Sequence, residues 1–287
     1  METVFKNVHR RIKLKSTDTI NLWLWGDVHY DLDSCDRDRF KWFLQRAAKD
    51  DPELTYYMGL GDYHDFASTK EQATLKKTNL HKQTIERFDM QVQRENRQFA
   101  NMIKQMRGKL LGLIHGNHGW SFLDGTNSTD DLASRMGTDA LGWLCHYTIA
   151  FDFPDRNSSA VIYIVACHGK AGGKTHGITI NQVADLKTIF PIADIYVMGH
   201  DHQRAAHPCS VIIPSYNTAD STMLKQKRQF LCRSGSFKKA YQEGQDCYEV
   251  GALYKPSDLG ALKLRISFHR DRNKQHDRFI TDIEAII

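Results

Sequence analysis

The sequence predicts an α/β fold, and three observations carry that prediction. Uncharged apolar runs recur at 56–60, 110–114, 161–167 and 195–198, a pattern that suits strands buried on both faces. The stretch 67–107 contains neither Gly nor Pro and repeats its apolar residues at helical spacing. Most of the apolar runs also end in a short polar fragment built from Asp, His, Asn and Gly.

In chain order the first polar fragment is Asp27-Val28-His29. Residues two apart on an extended chain share a face, so a carboxylate and an imidazole in Asp-x-His are expected to converge on one cation. Gly61-Asp62 follows the run 56–60, and the insert at about 67–108 comes next. Ile85, Phe88, Val92, Phe99, Ile103 and Met106 line one stripe there and predict one or two helices. The stripe reads first as a layer packed on a sheet and second as a partner surface, such as a dimer helix. Residues 66–109 hold ten Lys or Arg against four Asp or Glu, whereas the whole chain carries only +5. Such a face would attract a polyanion, although the solvated side of an amphipathic helix is charged in the same way.

Gly116-Asn117-His118 follows 110–114, His168-Gly169 follows 161–167, and Gly199-His200-Asp201-His202 follows 195–198. Open α/β sheets place their sites at the C-terminal ends of strands, so these fragments are expected on one rim. Together they supply ligands for two metal ions. Mixed imidazole and carboxylate donors suit Mn, Fe, Zn or Ni better than Ca or Mg.

Gly172-Gly173-Lys174-Thr175 precedes a helical stretch at 178–190, the context of a P-loop, but His168 occupies the place of the motif's first Gly. Lys170 and Lys174 are read instead as contacts to a substrate phosphate. Beyond the last polar fragment the chain turns to β character at 205–213, 229–233, 247–254 and 261–269. The segment 234–239 reads as a turn that returns toward the site, with Lys238 and Lys239 either reaching substrate or simply exposed. Residues 270–278 are highly charged and read as solvated.

The order of the polar fragments resembles the calcineurin-like metallophosphoesterase superfamily, whose pattern is Asp-x-His, Gly-Asp, Gly-Asn-His-Asp/Glu, His, Gly-His-x-His. The resemblance spans about 20–205. It implies a four-layer α-β-β-α sandwich with two mixed β-sheets and a dinuclear metal site at the strand C-terminal ends. The strands after 205 would complete the second sheet. Carried over position by position, it implies that Asp27, His29, Asp62 and His202 hold one metal. Asp62 would bridge to the other, held with Asn117, His168 and His200. His118 would not be a ligand but would face the substrate. Gly119 stands where the family usually has Asp or Glu, a carboxylate that would orient the imidazole and raise its pKa. Asp65 is the candidate to replace it.

Two divalent ions, Mn²⁺ first and Fe, Zn or Ni as alternatives, are the expected cofactors. Such ions, roughly 3.5–4 Å apart, clamp a phosphoryl group and activate a water as hydroxide, which makes phosphate-ester hydrolysis the expected reaction. His118 is the expected general acid for the leaving group. The Gly61-Asp62-Tyr63-His64-Asp65 block and the basic insert tilt the reading toward phosphodiesters, nucleic acid included. Three rival readings stand beside it: a phosphomonoesterase acting on a phosphoprotein or small molecule, a nucleic-acid-binding subunit with little catalysis, and a P-loop triphosphatase.

Length fits a single domain, 1–287, with the helical basic insert. The six cysteines show no Cys-x-x-Cys pairing and read as reduced core thiols. The charged segment 1–15 lacks the apolar stretch of a signal peptide, and no segment is long enough to span a membrane, so a cytoplasmic protein is expected, with a homo-oligomer through the insert as a further option. His9, His81, His146, His207, His269 and His276 read as structural, whereas His64, His115 and His176 read as supports of the ligands or as substrate contacts.

Overall fold

The computed structural model describes residues 5–78, 80–169, 175–218, 221–244, 248–251, 253–270 and 279–287. The expected P-loop-like stretch with Lys170 and Lys174, Cys247, and most of the charged segment at 270–278 lie outside them, as does the side chain of His176.

Two mixed sheets organise the chain. The five-stranded sheet is built on β2 (Ile20–Trp25), β3 (Thr55–Gly59) and β4 (Leu110–Leu113), which run parallel. Its other two strands, β10 (Leu262–Arg270) and β11 (Phe279–Ile286), join antiparallel beyond β2. The six-stranded sheet has the order β1 (Phe5–Lys13), β5 (Leu144–Phe153), β6 (Ser158–Cys167), β7 (Ile195–Met198), β9 (Ser221–Ser234) and β8 (Arg204–Thr218). Within it β6, β7 and β9 are parallel, so their C-terminal ends share one rim.

Strand alternation explains why the apolar runs carry no polar face. Leu22 and Leu24 of β2 join a core with Met58, Tyr147, Ile149, Ile164 and Val197, drawn from both sheets. Trp23 and Trp25, which point the other way, join a second core with Tyr57 and with Phe40 and Phe43 of α1 (Arg37–Ala47). In the six-stranded sheet Val165, Tyr196 and Met198 join a third core with Val183 of α5 (His176–Ala184). Successive residues therefore bury themselves in different cores.

The insert forms α2 (Thr69–Lys77) and α3 (Lys82–Met102), followed by a 3₁₀ turn at Lys104–Met106. Phe99, Ala100, Ile103 and Met106 are buried in the second core, and Asn96 donates to the Ser128 carbonyl at the start of α4 (Ser128–Met136). The predicted stripe is thus a layer packed on the five-stranded sheet. At its N-terminal end the stripe leaves the core, where Phe88 is exposed and its ring meets Trp120 edge-on.

Two expectations for the C-terminal part are corrected. The strand expected at 247–254 is a helical turn, α6 (Tyr248–Gly251), since no neighbouring strand pairs with it among the described residues. The late strands do not all complete the second sheet: β8 and β9 do, but β10 pairs with β2 in the first. Its inward residues Leu262, Leu264 and Ile266 match Leu24, Leu22 and Ile20, which sets that register.

Replacing Phe99 by Ala should destabilise the protein by about 3–5 kcal/mol, the usual cost of emptying an aromatic core site. Urea unfolding at two protein concentrations checks this. A concentration-dependent midpoint with little loss from the substitution would place α3 at a subunit contact instead.

Candidate metal centre

All seven residues expected to ligate metal converge beyond the strand ends. Asp27 and His29 follow β2, Asp62 follows β3, Asn117 follows β4, His168 follows β6, and His200 and His202 follow β7. Donor atoms of Asp27, His29 and His202 lie within 4.8 Å of one another, and so do those of Asp62, His168 and His200.

The extended-chain argument for Asp-x-His is corrected by the backbone. Asp27, His29, Asp62, His200 and His202 have φ of 47°, 45°, 48°, 68° and 51°, all left-handed. L residues visit that region rarely, so surrounding bonds must hold them there. Asp27 donates to the Gly61 carbonyl at 2.9 Å, and Val28 and His29 both donate to the Asp62 carbonyl, at 2.8 and 3.1 Å. Phe237 N–H and Ser236 Oγ–H donate to the Asp27 carbonyl, each at 2.9 Å. Convergence thus comes from two tightly laced turns rather than from the pleat of a strand.

Glycines make room for the carboxylates. A Cβ on Gly116 would stand 2.0 Å from Asp62 Oδ1, and one on Gly199 would stand 2.8 Å from Asp27 Oδ2. The two acids are then fixed by backbone donors. The His118 N–H donates to Asp62 Oδ1 at 3.0 Å, and the His200 N–H donates to both oxygens of Asp27 at 3.0 and 2.9 Å.

Hydrogen bonding also decides which imidazole atoms face inward. His168 Nδ1–H donates to the Leu60 carbonyl at 2.7 Å, which turns Nε2 toward Asn117 Oδ1 at 2.9 Å and His200 Nδ1 at 3.1 Å. His29 Nδ1–H donates to Asp65 Oδ2 at 3.2 Å, so Nε2 is the ring atom left facing the cluster. Nε2 lies 3.8 Å from Asp62 Oδ2, which itself lies 3.0 Å from His168 Nε2. His29 Nε2 is buried without a hydrogen-bond partner, which is unfavourable unless a ligand such as a cation satisfies it. The donor set of imidazoles, carboxylates and one amide oxygen therefore fits divalent transition metals.

Charge is sorted sharply within the cluster. Burial pushes Asp27 up to about 6 against the pull of the His168 charge. Burial also opposes ionisation of Asp62, but the charge and hydrogen bond of His168 outweigh it and hold that carboxyl far below the usual range. In return Asp62 overcomes the effect of burial on His168 and lifts it to about 9. Burial and the neighbouring His168 depress His200 to about 4, and burial with the His29 charge holds His202 well below its usual value.

His118 stands beside these groups. Its Nδ1 bonds Asp65 Oδ1, while the other oxygen of the same carboxylate takes His29. Asp65 thus fills the role left vacant by Gly119. Burial lowers the His118 pKa, but the bond to Asp65 and the charges of Asp62 and Asp65 raise it overall. Position 119 is crowded: a Cβ there would lie 3.2 Å from Ser128 Oγ, and the Gly119 carbonyl already accepts from Gln72 of α2. Asp65 is itself held by Asp31, whose Oδ1 accepts the Asp65 N–H at 2.7 Å.

The cluster floors an open groove of about 1110 Å³. One wall is Phe66, Ser68, Lys70 and Thr74, from the start of the insert, and the other includes Lys238, Tyr254, Lys255 and Ser257. His64 and His115 do not face this groove. The His64 ring stacks on Phe66 at 4.6 Å, and His115 is bound to Asp130 and Asn127 at 3.1 and 3.0 Å. Sequence reasoning missed Arg233, which is fully buried in β9 and donates to the Gly199 carbonyl at 2.7 Å, the Thr179 carbonyl at 3.0 Å and Gln182 at 2.8 Å. Its available signal was an arginine directly after the apolar run Phe230-Leu231-Cys232. The groove walls carried no such signal, because tertiary folding alone brings them to the site.

No family model matches the chain, and no curated protein matches it. Among solved structures it aligns with GAP50, the anchor in the inner membrane complex of Plasmodium, at 12% identity and a TM-score of 0.40, covering 92% of this chain and 84% of that one. It also aligns with a conserved uncharacterized protein of Streptococcus pneumoniae TIGR4, described as a predicted phosphoesterase, at 10% identity and a TM-score of 0.31, covering 93% and 89%. The functional reading rests on the donor geometry.

Two outcomes follow from the site. Asp65→Asn should lower the pKa of His118, read from its imidazole resonances in an NMR titration; an unchanged value would mean that Asp65 does not set the protonation of that ring. Gly116→Ala should remove the rise in thermal stability expected on adding Mn²⁺, because the added methyl displaces Asp62; an undiminished shift would contradict the close packing described.

Proposed function

We propose that the chain is a metal-dependent phosphoesterase with two cations, Mn²⁺ first, held by Asp27, His29, Asp62 and His202 and by Asp62, Asn117, His168 and His200. The observation that carries this reading is the convergence of Asp27, His29 and His202 in one donor group and of Asp62, His168 and His200 in another, with His29 Nε2 buried without a hydrogen-bond partner. Asp62 Oδ1 accepts the His118 N–H, so Asp62 would hold the metals through its other oxygen. The three cores support a four-layer α-β-β-α sandwich, read here as one domain with the insert as part of the groove wall.

Bound divalent cations supply Lewis-acid polarisation of a phosphoryl group and a lowered pKa for an attacking water. The chain's own contribution is proton placement and orientation. Asp65 fixes His118 through Nδ1, which leaves Nε2 as the atom that hands a proton to the departing ester oxygen. The bond to Asp65 favours the protonated form of the ring. The groove over the donor cluster, about 1110 Å³, has room for both arms of a diester, and this favours phosphodiesters over phosphomonoesters. Nucleic acid falls within that class.

No helix among the described residues is long and apolar enough to cross a membrane. Among the described residues Cys35, Cys145, Cys167, Cys209 and Cys232 lie outside any disulfide, and a reducing, cytoplasmic setting is part of the proposal.

With Mn²⁺, bis-p-nitrophenyl phosphate should be hydrolysed faster than p-nitrophenyl phosphate, and Asp62→Ala should be silent toward both. Preference for the monoester would reverse the substrate assignment, and metal uptake without turnover would favour a binding role. His118→Ala should slow esters with alkyl leaving groups by about 10²–10⁴-fold and nitrophenyl esters much less. Equal losses on the two would remove His118 from the proton-transfer role.

A further inference from the structure

The donor cluster explains how metal is held, but not which substrate arms the groove accepts. Apart from imidazoles, two aromatic side chains line the groove among the described residues, Phe66 on the insert side and Tyr254 on the opposite wall. The Tyr254 wall is tied to the turn that carries His200 and His202. Gln203 Nε2 donates to the Pro256 carbonyl at 2.8 Å, Asp258 N–H donates to the His202 carbonyl at 2.9 Å, and Lys255 Nζ lies 3.5 Å from Asp201 Oδ2. Phe66 is tied to the residue proposed to face the leaving group, because its N–H donates to the His118 carbonyl at 3.1 Å.

The Phe66 ring is a supported plate. It is half-buried and stacks on the buried His64 ring, with centroids 4.6 Å apart and an angle of 17° between the planes. His64 in turn meets Phe99 of the second core edge-on at 5.0 Å. The backbone after Phe66 is fixed as well. The Ala67 carbonyl accepts from Gln72 Nε2 at 2.9 Å, and Ser68 and Glu71 cap α2 reciprocally, Ser68 N–H donating to Glu71 Oε2 at 2.7 Å and Glu71 N–H to Ser68 Oγ at 3.3 Å. A ring held in this way loses little further freedom when a ligand packs on it, which favours affinity. Phe66 also packs against the small core of Val92, Trp120 and Phe122, yet it lines the groove together with His118.

Resting on the phosphoesterase reading, we infer that Phe66 is the stacking residue for a nucleobase, so that the substrate carries a nucleoside on at least one arm of its phosphate. Stacking suits this class because every base offers a flat π-face, whatever the sequence. Lys70 and Lys238 line the same groove, and basic side chains set among aromatic ones are a common means of holding nucleotide chains. Phe66 is thus a specificity residue: it selects the arm, while the donor cluster addresses the phosphate.

The test is calorimetric titration of the Mn²⁺-loaded protein with thymidine 5′-phosphate and with deoxyribose 5-phosphate, which lacks the base, alongside Mn²⁺ titration of each variant. The parent should bind the nucleotide at least about fivefold more tightly than the sugar phosphate, the lower end of what stacking one base contributes. Phe66→Leu should erase that preference by weakening the nucleotide alone, and Phe66→Trp should keep it. Equal affinity of the parent for the two probes would overturn the inference, and so would a preference that survives in Phe66→Leu. Loss of Mn²⁺ uptake in both variants, or equal weakening of both probes in Phe66→Leu, would mark Phe66 as structural and overturn it too. A single-stranded oligothymidylate identifies the source of the base: Phe66-dependent binding tighter than that of the mononucleotide supports a nucleic-acid strand, and equal Phe66-dependent affinity supports a small nucleotide. If the parent binds Mn²⁺ but neither phosphate probe and cleaves no diester, the phosphoesterase reading itself fails, a result distinguishable from the others.

Discussion

Asp62 is the residue through which the separate strand-end turns become one site. Its carbonyl accepts the N–H groups of Val28 and His29, its Oδ1 accepts the N–H of His118, and its Oδ2 stands among the imidazoles of His29 and His168. Turns after β2, β3, β4 and β6 are thereby coupled through a single side chain and its own peptide. The close approach of Gly116 makes this possible, and the positive charge on His168 keeps the carboxylate ionised despite full burial.

Such a site opposes the stability of the fold that carries it. Each left-handed non-glycine residue costs on the order of 1–3 kcal/mol, and five of the expected ligands adopt that conformation. The cost is tolerable because the turns leave from strands whose residues are buried in cores on both sides. Trp25 is fully buried directly before the turn that holds Asp27, and Met58 likewise precedes Asp62. Arg233 adds a second kind of support, spending a buried guanidinium on the Gly199 carbonyl so that the turn carrying His200 is fixed from below. Function and packing therefore meet at the strand ends.

Strands β3, β4, β6 and β7 were legible in the sequence as clean apolar runs, whereas the interior strands β2 and β5 were not named from it. Nor was β1, since it is an outer strand with Lys6, His9, Arg10 and Arg11 along it, and the alternating polar residues of β11 hide it in the same way. The order and identity of the donors were legible as well, because chemistry restricts residue type even where the backbone varies. Their left-handed backbone was not, for Asp and His carry no mark of it as Gly does. Asp65 could be named as a partner for His118 but not placed, because a bond between positions 65 and 118 depends on how β3 and β4 pair. The groove walls depend on contacts between distant segments, such as Phe66 N–H donating to the His118 carbonyl at 3.1 Å, and local sequence holds no record of them.

The central claim is that two cations share Asp62. Anomalous diffraction from crystals grown with Mn²⁺ tests it most directly. The account predicts two peaks per chain, one among Asp27, His29, Asp62 and His202 and one among Asp62, Asn117, His168 and His200, with Asp62 Oδ2 contacting both. A single peak, or two peaks that do not share Asp62, would contradict it.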